Sequence, residues 1–151
     1  MMDRKTFVQI SRAGLLTLGA KAYGINSIKT NNYKKLVILH TNDWHSRIEP
    51  FPDDNSRNAN LGGATRRAKL IEEIRAKEDN ILLLDAGDIF QGTPYFNFFG
   101  GELEFKLMSE MGYDAATMGN HDFDGGMDGF KKAMPNANFD FITTNYDFKK
   151  Y

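Results

Sequence analysis

The sequence has no cysteine, only three histidines and a single tryptophan among its 151 residues. The absence of cysteine excludes a disulfide framework, a thiolate zinc site and a cysteine nucleophile. Apolar runs are short, and none approaches the roughly 18 residues of a bilayer-spanning helix, so we expect no stable membrane insertion. The net charge of −1 gives no reason to expect a nucleic acid polymer as a partner.

The first 22 residues have the order of an export signal. A basic start with Arg4 and Lys5 precedes a short, weakly apolar stretch and then Ala20-Lys21-Ala22, which has the small-x-small form of a cleavage site. The basic start also resembles a twin-arginine signal, with Lys5 where the second arginine belongs. We therefore predict an export signal over 1–22, a polar tether over 23–35, and delivery to the periplasm. The alternative is an amphipathic N-terminal helix.

The remaining residues alternate between short apolar runs and segments with helical spacing. The apolar runs predict four buried strands, at Leu36–His40, Ile81–Leu84, Ala115–Thr117 and Phe139–Thr144. The helical spacing predicts three helices, at Gly63–Lys77, Leu103–Met111 and Met127–Met134. This alternation indicates an α/β fold with a parallel sheet. Because the strands are continuously apolar, we expect both faces of the sheet to be covered.

Side chains that bind metals follow three of these strands. The polar residues are, in order, Asp43 and His45, then Asp88, then Asn120, His121 and Asp122. Ligands of open α/β sheets bind at the carboxyl ends of the strands, where these residues would meet. A mixture of oxygen and imidazole ligands suits manganese, zinc or iron better than calcium.

Together these segments resemble the first three motifs of the calcineurin-like metallophosphoesterases. The matching stretches are Asp43-x-His45, Gly87-Asp88-x-x-x-Gly92 and Gly119-Asn120-His121-Asp122. Finer features, such as Leu39-His40-Thr41-Asn42-Asp43 and Gly112-Tyr113-Asp114-Ala115, resemble the 5′-nucleotidase branch. The resemblance covers about residues 36–147. It implies that 36–151 is the N-terminal part of a layered α/β metallophosphoesterase domain with mainly parallel strands, truncated before its second half.

The resemblance also implies a role for each site residue. Asp43 and His45 would hold one divalent metal ion, Asn120 a second, and Asp88 would bridge the two. His121 would stabilise the transferring phosphoryl group or protonate the leaving oxygen, and Asp122 would hold the His121 ring in orientation. The implied reaction is the hydrolysis of a phosphoric ester, most simply a 5′-nucleotide, by metal-activated hydroxide.

The family pattern continues with a later histidine and a Gly-His-x-His motif, which this sequence lacks. Its histidines are His40, His45 and His121. We therefore expect a missing C-terminal half and no activity from these 151 residues alone. Two alternatives remain: a hydrolase of another anionic ester, such as a cyclic nucleotide or a sulfur oxyanion adduct, and an inactive fragment.

The export signal predicts a processed N-terminus. We expect cleavage near Ala22, because the small residues Ala20 and Ala22 flank the position that a signal peptidase would recognise. Mass spectrometry of protein isolated from its native host checks this. Recovery of the intact chain beginning at Met1 from the cytoplasm would contradict it.

Overall fold

Four short parallel strands form the sheet, side by side in chain order. A computed structural model describes residues 34–148, so the predicted export signal and most of the predicted tether lie outside the described residues. The strands are β1 (Val37–Thr41), β2 (Ile81–Asp85), β3 (Ala115–Ala116) and β4 (Asp140–Phe141). They are all parallel, in the order β1-β2-β3-β4. The predicted α/β architecture is therefore confirmed.

Helices connect the strands, as the spacing predicted, but one of them was not predicted. The four helices are α1 (Ala64–Arg75), α2 (Pro94–Phe99), α3 (Glu102–Met111) and α4 (Gly126–Ala133). Helix α2 has only six residues, too few for a periodic apolar pattern, and it begins at a proline, which favours the first helical position. None of the helices in the described part of the chain has the length and apolar character needed to cross a bilayer.

Strand β4 is shorter than the predicted Phe139–Thr144. Its partner β3 offers only Ala115 and Ala116 for pairing, because the chain after them turns into the loop that carries His121. One further backbone hydrogen bond, from Ile142 N–H to the Ala116 carbonyl oxygen at 2.8 Å, extends the contact between the two strands by one residue. The length of a strand is thus set by its neighbour as much as by its own residues.

The helices bury an aromatic core against one face of the sheet. Leu83 of β2 is 1% exposed and belongs to the same buried cluster as Ile71 of α1 and Phe105 of α3. The Phe105 ring centre lies 4.7 Å from that of Phe90 and 5.1 Å from that of Phe141. Fully burying such a side chain contributes about 1.5–3 kcal/mol. Since Phe90 follows Asp88 by two residues, this core supports the loop after β2 directly.

The opposite face of the sheet is open, which corrects the expectation that both faces are covered. Side chains alternate along a strand, so Ile38 lies on the face opposite its neighbour Leu39, which packs against the core. Ile38 is 58% exposed and Ile142 is 60% exposed. Within residues 34–148, the helices cover one apolar face and leave the other to solvent.

Candidate metal centre

Three loops leave the sheet together at the carboxyl ends of β1, β2 and β3. The last residues of these strands are in register, so the loops begin at the same height. The first two loops then remain paired through their backbones. Asp43 N–H donates to the Gly87 carbonyl oxygen at 2.9 Å, and His45 N–H donates to the Asp88 carbonyl oxygen at 3.0 Å. This pairing places side chains from two strand ends beside one another.

Asp43, His45 and Asp88 form a group with the geometry of a metal site. One ligand atom from each lies within 4.8 Å of the others. The His45 Nε2 atom is 3.7 Å from Asp43 Oδ1. The Asp43 side chain is exposed, whereas His45 and Asp88 are half-buried, so the group opens to solvent on one side. Two carboxylates and an imidazole are a donor set that suits manganese, zinc or iron.

All three of these residues have left-handed backbone conformations. Their φ angles are 52° for Asp43, 50° for His45 and 56° for Asp88. This conformation costs about 1–2 kcal/mol at a non-glycine residue and persists only where the surroundings enforce it. The backbone pairing between the first two loops supplies part of that constraint. Clustering of such strain at one group of side chains is typical of a functional site.

The Asp122 carboxylate supplies a further constraint, on the second and third loops. Asp122 is 1% exposed and accepts backbone hydrogen bonds from both the second and the third loop. The donors are the N–H groups of Gly119 at 2.8 Å, Asp88 at 3.0 Å, Ile89 at 2.9 Å and Phe90 at 3.0 Å. Burial raises the pKa of this carboxyl, and the four donors act against the rise because they stabilise the charged form.

This geometry corrects the role expected for Asp122. The sequence predicted that Asp122 orients the His121 ring, but its two oxygens are occupied by backbone N–H groups below the loops. Asp124 makes the expected contact instead: its Oδ2 atom is 2.9 Å from His121 Nδ1. Asp124 directly follows the short 3₁₀ turn His121–Phe123 and lies three positions after His121, a spacing that puts the two side chains on one side.

His121 lies beside the candidate metal group. Its ring centre is 5.2 Å from that of His45, in an edge-to-face arrangement, and its backbone N–H donates to Asp88 Oδ1 at 3.0 Å. The hydrogen bond with Asp124, helped by nearby negative charge, raises the pKa of His121. Asn120 is exposed and immediately precedes the N–H that contacts Asp88, so its backbone lies next to that carboxylate.

A buried carboxylate below the site braces the second loop. Asp85 accepts a hydrogen bond from Gly87 N–H at 2.9 Å and another from the Thr41 hydroxyl at 2.5 Å. Burial raises the pKa of Asp85, and these hydrogen bonds oppose the rise. Asp85 thus connects the end of β1 to the turn before Asp88.

Gly119 allows the third loop to approach Asp88 closely. A Cβ atom at this position would lie 2.1 Å from Asp88 Oδ1 and 2.5 Å from the Asp88 backbone nitrogen. Neither distance is sterically possible, so any side chain here would displace the carboxylate. Gly129 in α4 has open space at the corresponding point.

Gly119→Ala is therefore expected to weaken metal binding by about tenfold or more, because Asp88 loses its position as a ligand. Isothermal titration of the chain with Mn²⁺ measures this. Gly129→Ala is the matched control and should bind as the unchanged chain does. Equal Mn²⁺ affinity in the two variants would contradict this account of Asp88.

Comparison with known proteins gives the family of this chain. A family model described as calcineurin-like phosphoesterase matches residues 36–150. The chain is 45% identical over 115 residues to a snake venom 5′-nucleotidase of Crotalus adamanteus, covering 74% of this chain and 20% of that protein. It is 40% identical over 120 residues to the 5′-nucleotidase of Homo sapiens, covering 76% of this chain and 21% of that protein.

Solved structures give the same result. The 5′-nucleotidase precursor from Thermus thermophilus superposes with a TM-score of 0.68 at 37% identity, covering 74% of this chain and 22% of that one. The NAD nucleotidase of Haemophilus influenzae superposes with a TM-score of 0.66 at 34% identity, covering 73% and 20%. The chain spans about a fifth of the length of these relatives. It belongs to the calcineurin-like phosphoesterase family, whose members hydrolyse phosphoric esters with the help of metal ions.

Proposed function

We propose that this chain supplies the reaction centre of a 5′-nucleotidase-like hydrolase that binds two divalent metal ions. The observation that carries the proposal is the convergence of Asp43, His45 and Asp88 beside the His121–Asp124 pair at one edge of the sheet. Relatives at 40–45% identity are named 5′-nucleotidases. Residues 36–151 form the N-terminal part of the catalytic domain in this proposal.

The ligands divide between the two metals according to residue type. Asp43 and His45 hold one ion, and Asn120 offers a neutral oxygen to the other. Asp88 serves both, because a carboxylate has two oxygens and the backbone hydrogen bond to Asp122 fixes its position. Bound at these residues, two divalent ions would supply activation of the attacking water and neutralisation of the phosphate oxygens. Manganese, zinc and iron all suit this set of ligands.

His121 acts on the phosphate group, and Asp124 positions it. The Nδ1 hydrogen bond to Asp124 fixes the orientation of the ring and favours its protonated form. A protonated imidazole beside His45 can donate a hydrogen bond to the transferring phosphoryl group, or a proton to the leaving oxygen. Asp122 has a structural role in this scheme, because it holds the loops and does not touch the ring of His121.

The substrate is most simply a 5′-nucleotide, whose phosphate would meet the metal group. The alternative is another anionic ester, because metals and His121 act on the oxyanion and not on the nucleoside. One structural relative, at 34% identity, is named a NAD nucleotidase, so the names of the relatives do not specify one nucleotide. Nucleoside contacts and the remaining histidine ligands are expected beyond the residues that match, since those residues cover only 20% of the snake venom relative.

Export to the periplasm, with the twin-arginine system as a candidate route, completes the proposal. The basic start, the short apolar stretch and the Ala20-Lys21-Ala22 site support it. These residues lie outside the described part of the chain.

Substitution of the His121–Asp124 pair should separate catalysis from metal binding. In an active form of the enzyme, His121→Asn is expected to lower turnover by about 10²–10⁴-fold while metal content stays nearly constant. Asp124→Asn is expected to lower turnover less, because it removes only the orienting contact. Kinetics with AMP, alongside elemental analysis of the same samples, test both. Loss of stoichiometric metal in His121→Asn would make His121 a ligand.

The 151-residue chain alone is expected to bind at most one divalent ion, weakly, and to be inactive. Asp43, His45, Asp88 and Asn120 are too few for two ions that each need about four to six ligands. Equilibrium dialysis with Mn²⁺ or Zn²⁺ and elemental analysis measure binding, and a generic phosphate ester tests hydrolysis against a metal-only control. Two tightly bound ions, or turnover abolished by Asp88→Asn, would contradict the expectation.

A further inference from the structure

Glu104 is a carboxyl group buried where the aromatic core of the domain packs. It lies in α3 next to Phe105, and both residues are fully inaccessible to solvent. Neither Glu104 oxygen has a partner at regular hydrogen-bond geometry among the described residues. A buried polar group without a partner is strongly unfavourable, so its presence on this apolar face requires an explanation.

A second buried polar side chain, Ser46, lies in the same part of the core. Ser46 is hydrogen-bonded to Ile89, and the next residue, Phe90, packs against Phe105, the neighbour of Glu104. Ser46 directly follows His45, is also fully buried, and has a left-handed φ of 51°. Its backbone is well held: the N–H donates to the Ile89 carbonyl oxygen at 2.9 Å, and the carbonyl oxygen accepts from the Thr93 hydroxyl at 2.6 Å. The Ser46 hydroxyl, by contrast, has no partner at regular geometry in residues 34–148.

We propose that Glu104 is a positioning residue whose carboxyl and the Ser46 hydroxyl serve as partners for each other, holding the turn that presents His45. Both groups are fully buried without a partner at regular geometry, and the contact between Phe90 and Phe105 brings their two segments together. The Ser46 hydroxyl also lowers the pKa of Glu104, against the larger rise caused by burial. Burial favours the neutral form of the carboxyl, which offers a donor and an acceptor as a hydroxyl does, so each group can serve the other. The inference rests on the proposed function only in that His45 is a metal ligand in that proposal. The contact between Glu104 and Ser46 does not depend on metal binding.

Substitutions in α3 distinguish this role from simple burial. Glu104→Met removes the polar group at similar size, and Glu104→Gln keeps a donor and an acceptor. Glu110→Met is the matched control, because Glu110 is exposed on the same helix. If Glu104 were only a buried charge, the methionine variant would be more stable and the turn unchanged.

Amide hydrogen exchange of the 151-residue chain, followed by NMR without metal, is the measurement. Relative to Glu110→Met, we expect Glu104→Met to speed exchange at the His45 and Ser46 amides about tenfold. Exchange at Leu83, whose amide donates to Asp114 Oδ2 at 2.7 Å, should not change in the same way. Glu104→Gln should stay close to the unchanged chain. The proposal would be overturned if, in every variant, the exchange rates of the His45 and Ser46 amides changed in the same proportion as the rate of the Leu83 amide.

Ser46→Ala provides the second test and answers the question even if Glu104→Met does not fold. It should produce the same local increase in exchange, and the double variant should add little to either single change. An unchanged rate in Ser46→Ala would overturn the proposal. Because the measurement needs no metal, a failure of the chain to bind Mn²⁺ would count against the proposed function and not against the role of Glu104.

Discussion

The site depends on one buried carboxylate. Asp122 accepts hydrogen bonds from Gly119 of the third loop and from Asp88, Ile89 and Phe90 of the second. Two separate segments therefore share a single acceptor, and their distance from each other is fixed by it. Hydrogen bonds to a charged group contribute about 1.5–3 kcal/mol each, more than those between neutral groups. Four of them oppose the cost of burying the carboxylate and help to hold Asp88 in its left-handed conformation.

Further contacts connect the loops held by Asp122 to the core and to strand β1. Phe90 anchors the second loop in the aromatic core, while Asp85 joins that loop to the end of β1. The first loop then follows the second through backbone hydrogen bonds at Asp43 and His45. The side chains with chemical function are thus the exposed or half-buried ends of a rigid assembly, and the residues that hold them are buried. Such preorganised support lets several strained residues persist together at one edge of the sheet.

The sequence was sufficient to predict the architecture and the convergence of Asp43, His45 and Asp88, because the ends of parallel strands meet at one edge. It was not sufficient to separate Asp122 from Asp124. The distinction depends on a short 3₁₀ turn, in which residues three apart face the same side while adjacent side chains diverge. The open face of the sheet was not predicted for a different reason. The sequence of an apolar strand is the same whether or not residues 34–148 cover both of its faces. The contact between Asp124 and His121 could have been predicted from their spacing of three residues. No local sequence pattern indicates a pairing of Glu104 with Ser46.

The most direct test of the central claim replaces Asp122 with asparagine, which keeps the shape but turns one acceptor oxygen into a donor facing backbone N–H groups. We expect Asp122→Asn to lower the free energy of unfolding by about 3 kcal/mol or more. Under conditions where the variant remains folded, Mn²⁺ binding should also be lost, measured by titration calorimetry on the same samples. Asp124→Asn, which alters a half-exposed contact, should retain both properties. Mn²⁺ affinity in Asp122→Asn equal to that of the unchanged chain would show that the loops hold the ligands without this carboxylate.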